Sequence, residues 1–441
     1  MTSGTINGWP VVSLGTLLKD IQPGFASGRH NSTGEGIPHF RPMNVSTDGR
    51  IERTVLKYVD PSAGRPELRL HPGDVVFNNT NSPELVGKTA LFEDDDMPAF
   101  SNHMTRLRSD PDRLDPGYLA LRLHQAWREG WFQDHCNNHV SQASIGRDVL
   151  KEFQIELPPM ATQLAIAALY SQLERYRASS SNHLEAARLA IGKFRDSVLA
   201  AACSGRLTAD LRQDQDADNN DMPSAWKQST VAEVCERVSV GHVGPTSKYY
   251  TTPNNGIVFL RSQNVRPGHL ILEDTKFITT AFHDSLRKSQ LRPGDVLIVR
   301  VGANRGDCCM VPQDYSGPLN CANIVFARPK LIDPAFLSLY LRGPGRTLML
   351  HETTGSAQGV INTKAVAKIR ILVPPQSEQE VIVQRANRLL ELAGELGERV
   401  KVATRFVSQT SQSVLAKAFH GELVPASSEP QASVAPSAGS E

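Results

Sequence analysis

Two long stretches of the chain carry an apolar residue at every third or fourth position. In the first, Ile166, Leu169, Leu173, Tyr176, Ser180, Leu184, Ala187, Ile191, Phe194 and Val198 form one seam. In the second, Ile382, Leu389, Leu392, Leu396, Val400, Ala403, Val407 and Val414 do the same. This spacing predicts two helices of about 44 residues, roughly 65 Å each, with a single apolar stripe as in a coiled coil. Each follows a Pro-Pro pair, Pro158-Pro159 or Pro374-Pro375. The polar run Ser179-Ser180-Ser181-Asn182 marks a place for a kink or break in the first.

The segments before each helix have shorter periods. Pro-Gly-Asp at 72–74 and at 293–295 is a tight turn, and the runs Val75-Val76-Phe77 and Val296-Leu297-Ile298 after it predict buried strands. Strands are also expected over 37–45 and 257–265 and at 153–157 and 369–373. Helices are expected over 17–21 and 231–238, and after Asp115-Pro116 and Asp333-Pro334.

The same order of elements occurs twice. The first long helix closes on Ser197-Val198-Leu199-Ala200-Ala201-Ala202-Cys203-Ser204-Gly205-Arg206-Leu207. The second closes on Ser413-Val414-Leu415-Ala416-Lys417-Ala418-Phe419-His420-Gly421-Glu422-Leu423, a shift of 413 − 197 = 216 residues. Arg41 and Asn44 fall opposite Arg261 and Asn264. The reading is two copies of one α/β unit. It gives domains at 1–157 and 226–373, long helices at 158–208 and 374–424, an acidic linker at 209–225 and a disordered tail at 425–441.

Composition narrows the classes. The formal net charge is +1 and 40% of residues are hydrophobic, so any nucleic-acid surface must be a local concentration of Lys and Arg. No apolar run approaches the ~20 residues that span a bilayer, and the first residues do not read as a signal peptide. The six cysteines form no C-x-x-C pair and read as reduced, structural residues of a cytoplasmic protein.

Catalytic motifs are missing where the chemistry would need them. Gly87-Lys88-Thr89 resembles the end of a P-loop, but Ser82 stands where its first glycine belongs. Asp74 and Asp295 sit in turns, where turn chemistry explains them better than metal ligation. The histidines form no H-E-x-x-H pair, so no zinc site is expected. Neither Pro-Pro pair lies in the Asn/Asp-Pro-Pro-aromatic loop of an adenine methyltransferase.

The repeated order resembles the specificity subunit of type I restriction–modification systems. The residues that carry the resemblance are Met222-Pro223-Ser224-Ala225-Trp226-Lys227, the Pro-Gly-Asp strand starts, Gly355-Ser356-Ala357-Gln358, Pro374-Pro375-Gln376-Ser377-Glu378-Gln379 and the two Ala/Gly helix ends. It spans about 9–423. One departure is Thr162-Gln163 where the second copy keeps Glu378-Gln379, a position where an acid merely favours the helix start.

The resemblance implies a non-catalytic reader of double-stranded DNA. Two target recognition domains would be separated by an antiparallel helix pair with pseudo-two-fold symmetry. The partners would be two methyltransferase subunits, with or without two restriction/translocase subunits. No cofactor is expected on this chain; S-adenosylmethionine, ATP and magnesium belong to those partners. A single-chain nuclease or methyltransferase, and a coiled-coil scaffold that never touches DNA, are the alternatives.

Arg reads guanine, Asn and Gln read adenine, Ser and Thr read either, and Lys and Arg hold phosphates. The polar loops after the buried strands offer Arg41, Asn44, Asn78, Asn79, Thr80, Ser82, Lys88, His103, Ser141 and Gln142 in the first half. The second half offers Arg261, Gln263, Asn264, Arg300, Asn304, Arg305, Asn323, Ser356 and Gln358. The loops 78–86 and 300–308 differ most between the halves, so the two half-sites are expected to be unrelated in sequence.

Overall fold

A computed structural model describes residues 5–6, 8–63, 65–138, 142–212, 223–351 and 359–419. The expected tail at 425–441 and most of the acidic linker lie outside them. The chain forms two compact units, Met1–His183 with Thr404–Glu441, and Leu184–Ala403. The boundary falls inside both long helices.

In the first unit, β1 (Leu18–Pro23), β2 (Val75–Asn78), β3 (Thr89–Leu91) and β4 (Met104–Ser109) form an antiparallel sheet in the order β1-β4-β2-β3. Successive strand residues point to opposite faces, and here both faces are covered. Val75, Phe77 and Leu107 enter a core with α1 (Pro116–Arg128) and Ile166. Val76, Ala90 and Met104 turn the other way, onto Phe40, Phe92 and Phe100. Phe40 ends the strand Ile37–Phe40, which lies between Lys57–Val59 and the parallel strand Ala99–Phe100. The first long helix, α2, follows as Met160–Cys203.

The second unit repeats this plan. Strands β5 (Cys235–Val240), β6 (Val296–Val299), β7 (Cys308–Met310) and β8 (Ile324–Pro329) form an antiparallel sheet in the order β5-β8-β6-β7. Val296, Ile298, Val325 and Ala327 face α3 (Pro334–Arg342), whereas Leu297, Val299, Ile324 and Phe326 face Leu260, Leu319 and Cys321. The second long helix is α4 (Gln376–Phe419).

The same polar locks recur. Asp115 and Asp333 cap α1 and α3 by accepting the N–H of Tyr118 at 2.8 Å and of Phe336 at 2.9 Å, with Pro at the first helical position. Buried Gln163 and Gln379, one turn into each long helix, accept the N–H of Asp115 and Asp333 at 2.9 and 2.7 Å. Their amides donate to Pro158 O and Pro374 O at 2.9 and 2.8 Å. Asp74 and Asp295 make the expected turn bond to the N–H of His71 and Arg292, both at 2.8 Å. They also hold ion pairs to Arg108 at 2.6 Å and Arg328 at 2.7 Å.

Within the second unit the helices run antiparallel. Arg195 donates to Ala393 O at 3.3 Å, while Leu207 O, just past the end of α2, accepts from Arg385, earlier in α4, at 2.7 Å. Val198, Leu199, Ala202 and Cys203 pack with Ile382 and Ala386 in the core under α3.

Several expectations are corrected. The helix expected over 17–21 is the strand β1, and that over 231–238 is four helical residues, Val231–Val234, followed by β5. The strands expected over 37–45 and 257–265 end at Phe40 and Leu260 in 3₁₀ turns, Pro42–Asn44 and Ser262–Asn264. Helix α2 passes through Ser179–Asn182 without a break. The seams hold in part: Ile166, Val198 and Ile382 are buried as expected, Leu169, Tyr176, Phe194, Leu392 and Leu396 are exposed, and Ala386 and Ala393, outside the expected seam, are buried as well.

Glu378 is more than a favourable charge at a helix start. It accepts from Trp226 Nε1 at 2.9 Å, Thr208 Oγ1 at 2.6 Å and Arg212 Nη1 at 3.2 Å. With the Arg385–Asp210 ion pair, this ties the beginning of the expected linker onto α4.

Candidate nucleic-acid interface

Each unit sends its polar residues out at the same place, where the short strand and the central strand leave the core. Arg41 and Arg261 begin the equivalent 3₁₀ turns. Asn44 and Asn264 are buried and hold those turns: each Oδ1 accepts the arginine N–H at 2.9 Å. Their amides donate to Glu52 O and Val55 O in the first unit and to Ile271 O in the second, all at 2.9 Å. Asn78 is likewise buried and donates to Pro42 O at 2.9 Å. These three asparagines shape the rim from beneath and do not present free amides at its surface. Both Arg41 and Arg261 have a buried Nε without a hydrogen-bond partner among the described residues.

In the first unit Arg41, Lys88 and His103 come together around a cleft of ≈ 790 Å³. Ser27, His30, His39, Asn81, Ser101 and Asn102 complete its polar lining, which includes no carboxylate among the described residues. Lys88 is buried, bonded to Val45 O, and burial holds its ammonium below the usual lysine range. Asn79 donates to Asn102 O at 3.1 Å and to Thr105 Oγ1 at 2.9 Å, and Thr80 donates to Asn79 Oδ1 at 3.1 Å. Ser82 donates its N–H to Asn81 Oδ1 at 2.9 Å. Gln142 is exposed, and Ser141 lies outside the described residues.

Of the cleft's histidines, His103 belongs to the expected set and His30 and His39 do not. Nε2 of His30 lies 3.2 Å from Nδ1 of His39. Burial pushes His39 down to about 4, with His30 and Arg41 adding to the shift. His30 is also lowered, by desolvation, Arg41 and Lys57.

In the second unit the rim is built from arginine. Arg300 is half-buried at the end of β6, Asn304 is exposed in the loop beyond it, and Arg305 donates to Gly359 O. Exposed Gln263 donates to Asp274 O at 3.3 Å. Asn323 takes a left-handed φ of 54°, which places it at the turn into β8. Arg266, absent from the expected set, donates to Val265 O at 2.9 Å. Ser356 and Gln358 lie outside the described residues.

Among the described residues no group of three or more His, Cys, Asp or Glu could hold a metal ion, and no helix is long and apolar enough to cross a membrane. The arrangement suits hydrogen bonding to base edges and phosphates.

Comparison with known proteins points the same way. Residues 46–187 and 223–400 match the family model described as type I restriction modification DNA specificity domain. The StySPI specificity subunit of Salmonella potsdam is 25% identical over 436 residues, 94% of this chain and 89% of that protein. The EcoBI specificity subunit of Escherichia coli is 28% identical over 445 residues, 94% and 86%. The HsdS subunit of Thermoanaerobacter tengcongensis has a similar fold, with a TM-score of 0.56 and 20% identity over 96% of this chain and 100% of that one.

Proposed function

The chain belongs to the type I restriction modification DNA specificity family, and from that premise we propose that it is the non-catalytic DNA reader of a restriction–modification complex in the cytoplasm. Each recognition domain, 1–157 and 226–373, reads one half of a split, asymmetric target, with the helix pair as spacer. The observation that carries this reading is a duplicated core with non-duplicated rims. Asp74/Asp295, Asn44/Asn264 and Gln163/Gln379 repeat in identity and bonding. The loops they support do not repeat: one is rich in Asn and His around a cleft, the other in Arg. A scaffold held constant beneath variable loops serves recognition of two different sequences.

Two methyltransferase subunits, with or without restriction/translocase subunits, supply S-adenosylmethionine, ATP and magnesium chemistry. In the second unit Leu189, Leu392, Leu396 and Val402 are exposed on the long helices, which gives such partners apolar ground. The test is a gel shift with a methyltransferase subunit encoded with this chain. Retardation of duplexes containing the target, requiring this chain, is expected; methylation or cleavage by this chain alone would make it an enzyme.

A further inference from the structure

The cleft of the first unit contains a pair of rings that differs in kind from its counterpart in the second. His39 lies on the strand Ile37–Phe40 and is 1% exposed, while His30 sits exposed on the loop before it. Equivalent strands start at Ile37 and Ile257, so a shift of 257 − 37 = 220 places Phe259 opposite His39 and Tyr250 opposite His30. Those two rings are also neighbours, with centroids 6.5 Å apart.

At the His30–His39 contact one neutral ring must donate and the other accept. His30 spends Nε2 there, which leaves its Nδ1 for a ligand. Behind it, Nε2 of His39 is buried with no hydrogen-bond partner among the described residues. Arg41, Lys57, Lys88 and His103 are the charged and titratable groups around the pair, with Arg65 beyond the Phe25 ring that His39 contacts.

We propose that His30 and His39, together with Arg41, form a phosphate seat that holds one backbone phosphate of duplex DNA through a proton shared between the two rings, a seat the second unit lacks. The inference rests on the DNA-reading function above. In the free protein burial and the surrounding cations disfavour the charged form of both rings, although the backbone carbonyls of Phe25 and Phe100 favour the protonated form of His39. A phosphate at Nδ1 of His30 reverses that balance: one proton enters from solvent, the pair becomes singly positive, and the bound anion compensates it. Affinity for DNA therefore rises as pH falls. His30 contacts the phosphate, and His39 is a positioning residue that acts through it.

The experiment uses the full chain with its methyltransferase partner and a duplex pool of random sequence, so that backbone contacts are read without knowledge of the target. The slope of log K against log salt is measured at pH 6 and pH 8. For the wild type the slope is expected to be steeper at pH 6 by about 0.9, the value of one further neutralised phosphate. His30→Tyr with His39→Phe, which copies the second unit, should lose that difference. His30→Tyr alone changes an exposed ring, so it reports the same loss even if His39→Phe disturbs packing. A double variant with wild-type slopes at both pH values overturns the seat. So does a His30 ring resonance that moves with inorganic phosphate while the DNA slopes stay unchanged, which would mark a free-anion site. A wild-type complex that binds no duplex at any salt overturns the DNA-reading function and the seat with it.

Discussion

Removing the carboxylate of Asp295 strands Arg328, whose side chain is 8% exposed and which has no other carboxylate within ion-pair distance among the described residues. Asp295→Asn is expected to cost about 3–5 kcal/mol, the usual result of leaving one buried partner unpaired, measurable by urea unfolding. His124 gives the complementary case. It is 2% exposed, both ring nitrogens lack hydrogen-bond partners among the described residues, and burial followed by Arg128 pushes it down to about 4. The folded state therefore resists a proton that the unfolded chain accepts near pH 6.5. Stability should fall by about 1.4 kcal/mol per pH unit below 6.5 and level off below about 4. His124→Leu should flatten that dependence, raising Tm at pH 5 more than at pH 8; parallel shifts at the two pH values would contradict it. The tight turn at Asp74 and Asp295 was readable because Pro, Gly and Asp are adjacent. Their arginines, 34 and 33 residues away, are brought in only by strand pairing, which no local pattern encodes. For the same reason Asn44 and Asn264 look like surface readers in the sequence and prove to be buried braces.

Each long helix is fixed at its start by a glutamine that satisfies the backbone of the element before it. Gln379→Leu would orphan the N–H of Asp333 and the carbonyl of Pro374, and an expected loss of about 2–4 kcal/mol follows from two unpaired backbone groups. An equally stable variant would show that water or a shifted backbone replaces the bonds. On the outer side, Leu392 and Leu396 are one turn apart on an exposed face. Changing both to Glu should leave the melting curve of the isolated chain within about 0.5 kcal/mol while weakening pull-down of the methyltransferase subunit. Unchanged pull-down would place the docking surface elsewhere. The long helices were legible because a 3.6-residue period over so many turns has no rival. Their inward faces were legible in part: Ile382, in the expected seam, makes the contact in the second unit together with Ala386, and Ala386 and Ala393 fall outside that seam because their small side chains carry a weak apolar signal. The short segment at β1 looked helical because six residues are too few to separate the periods, and its pairing with β4 decides the outcome.

At the scale of the molecule, duplication is the organising fact. The end of α2, Val198 to Cys203, is buried in the second unit against Ile382, Ala386 and the core under α3. A chain cut after Leu207 leaves that end uncovered and is expected to self-associate through its helix and to read a symmetric target; a stable monomer in size-exclusion with light scattering would count against this. The repeat, and with it the family, could be read from the sequence because the helix ends match at a fixed shift. The polar rims could be read only as candidates, because they are where the copies differ. The account therefore stands or falls on what sequence the assembled complex marks. Mapping methylated adenines in the host genome, with this chain present and deleted, should give a motif of two unrelated halves that vanishes with the chain. A map unchanged by the deletion, or one that is a perfect inverted repeat, would contradict it.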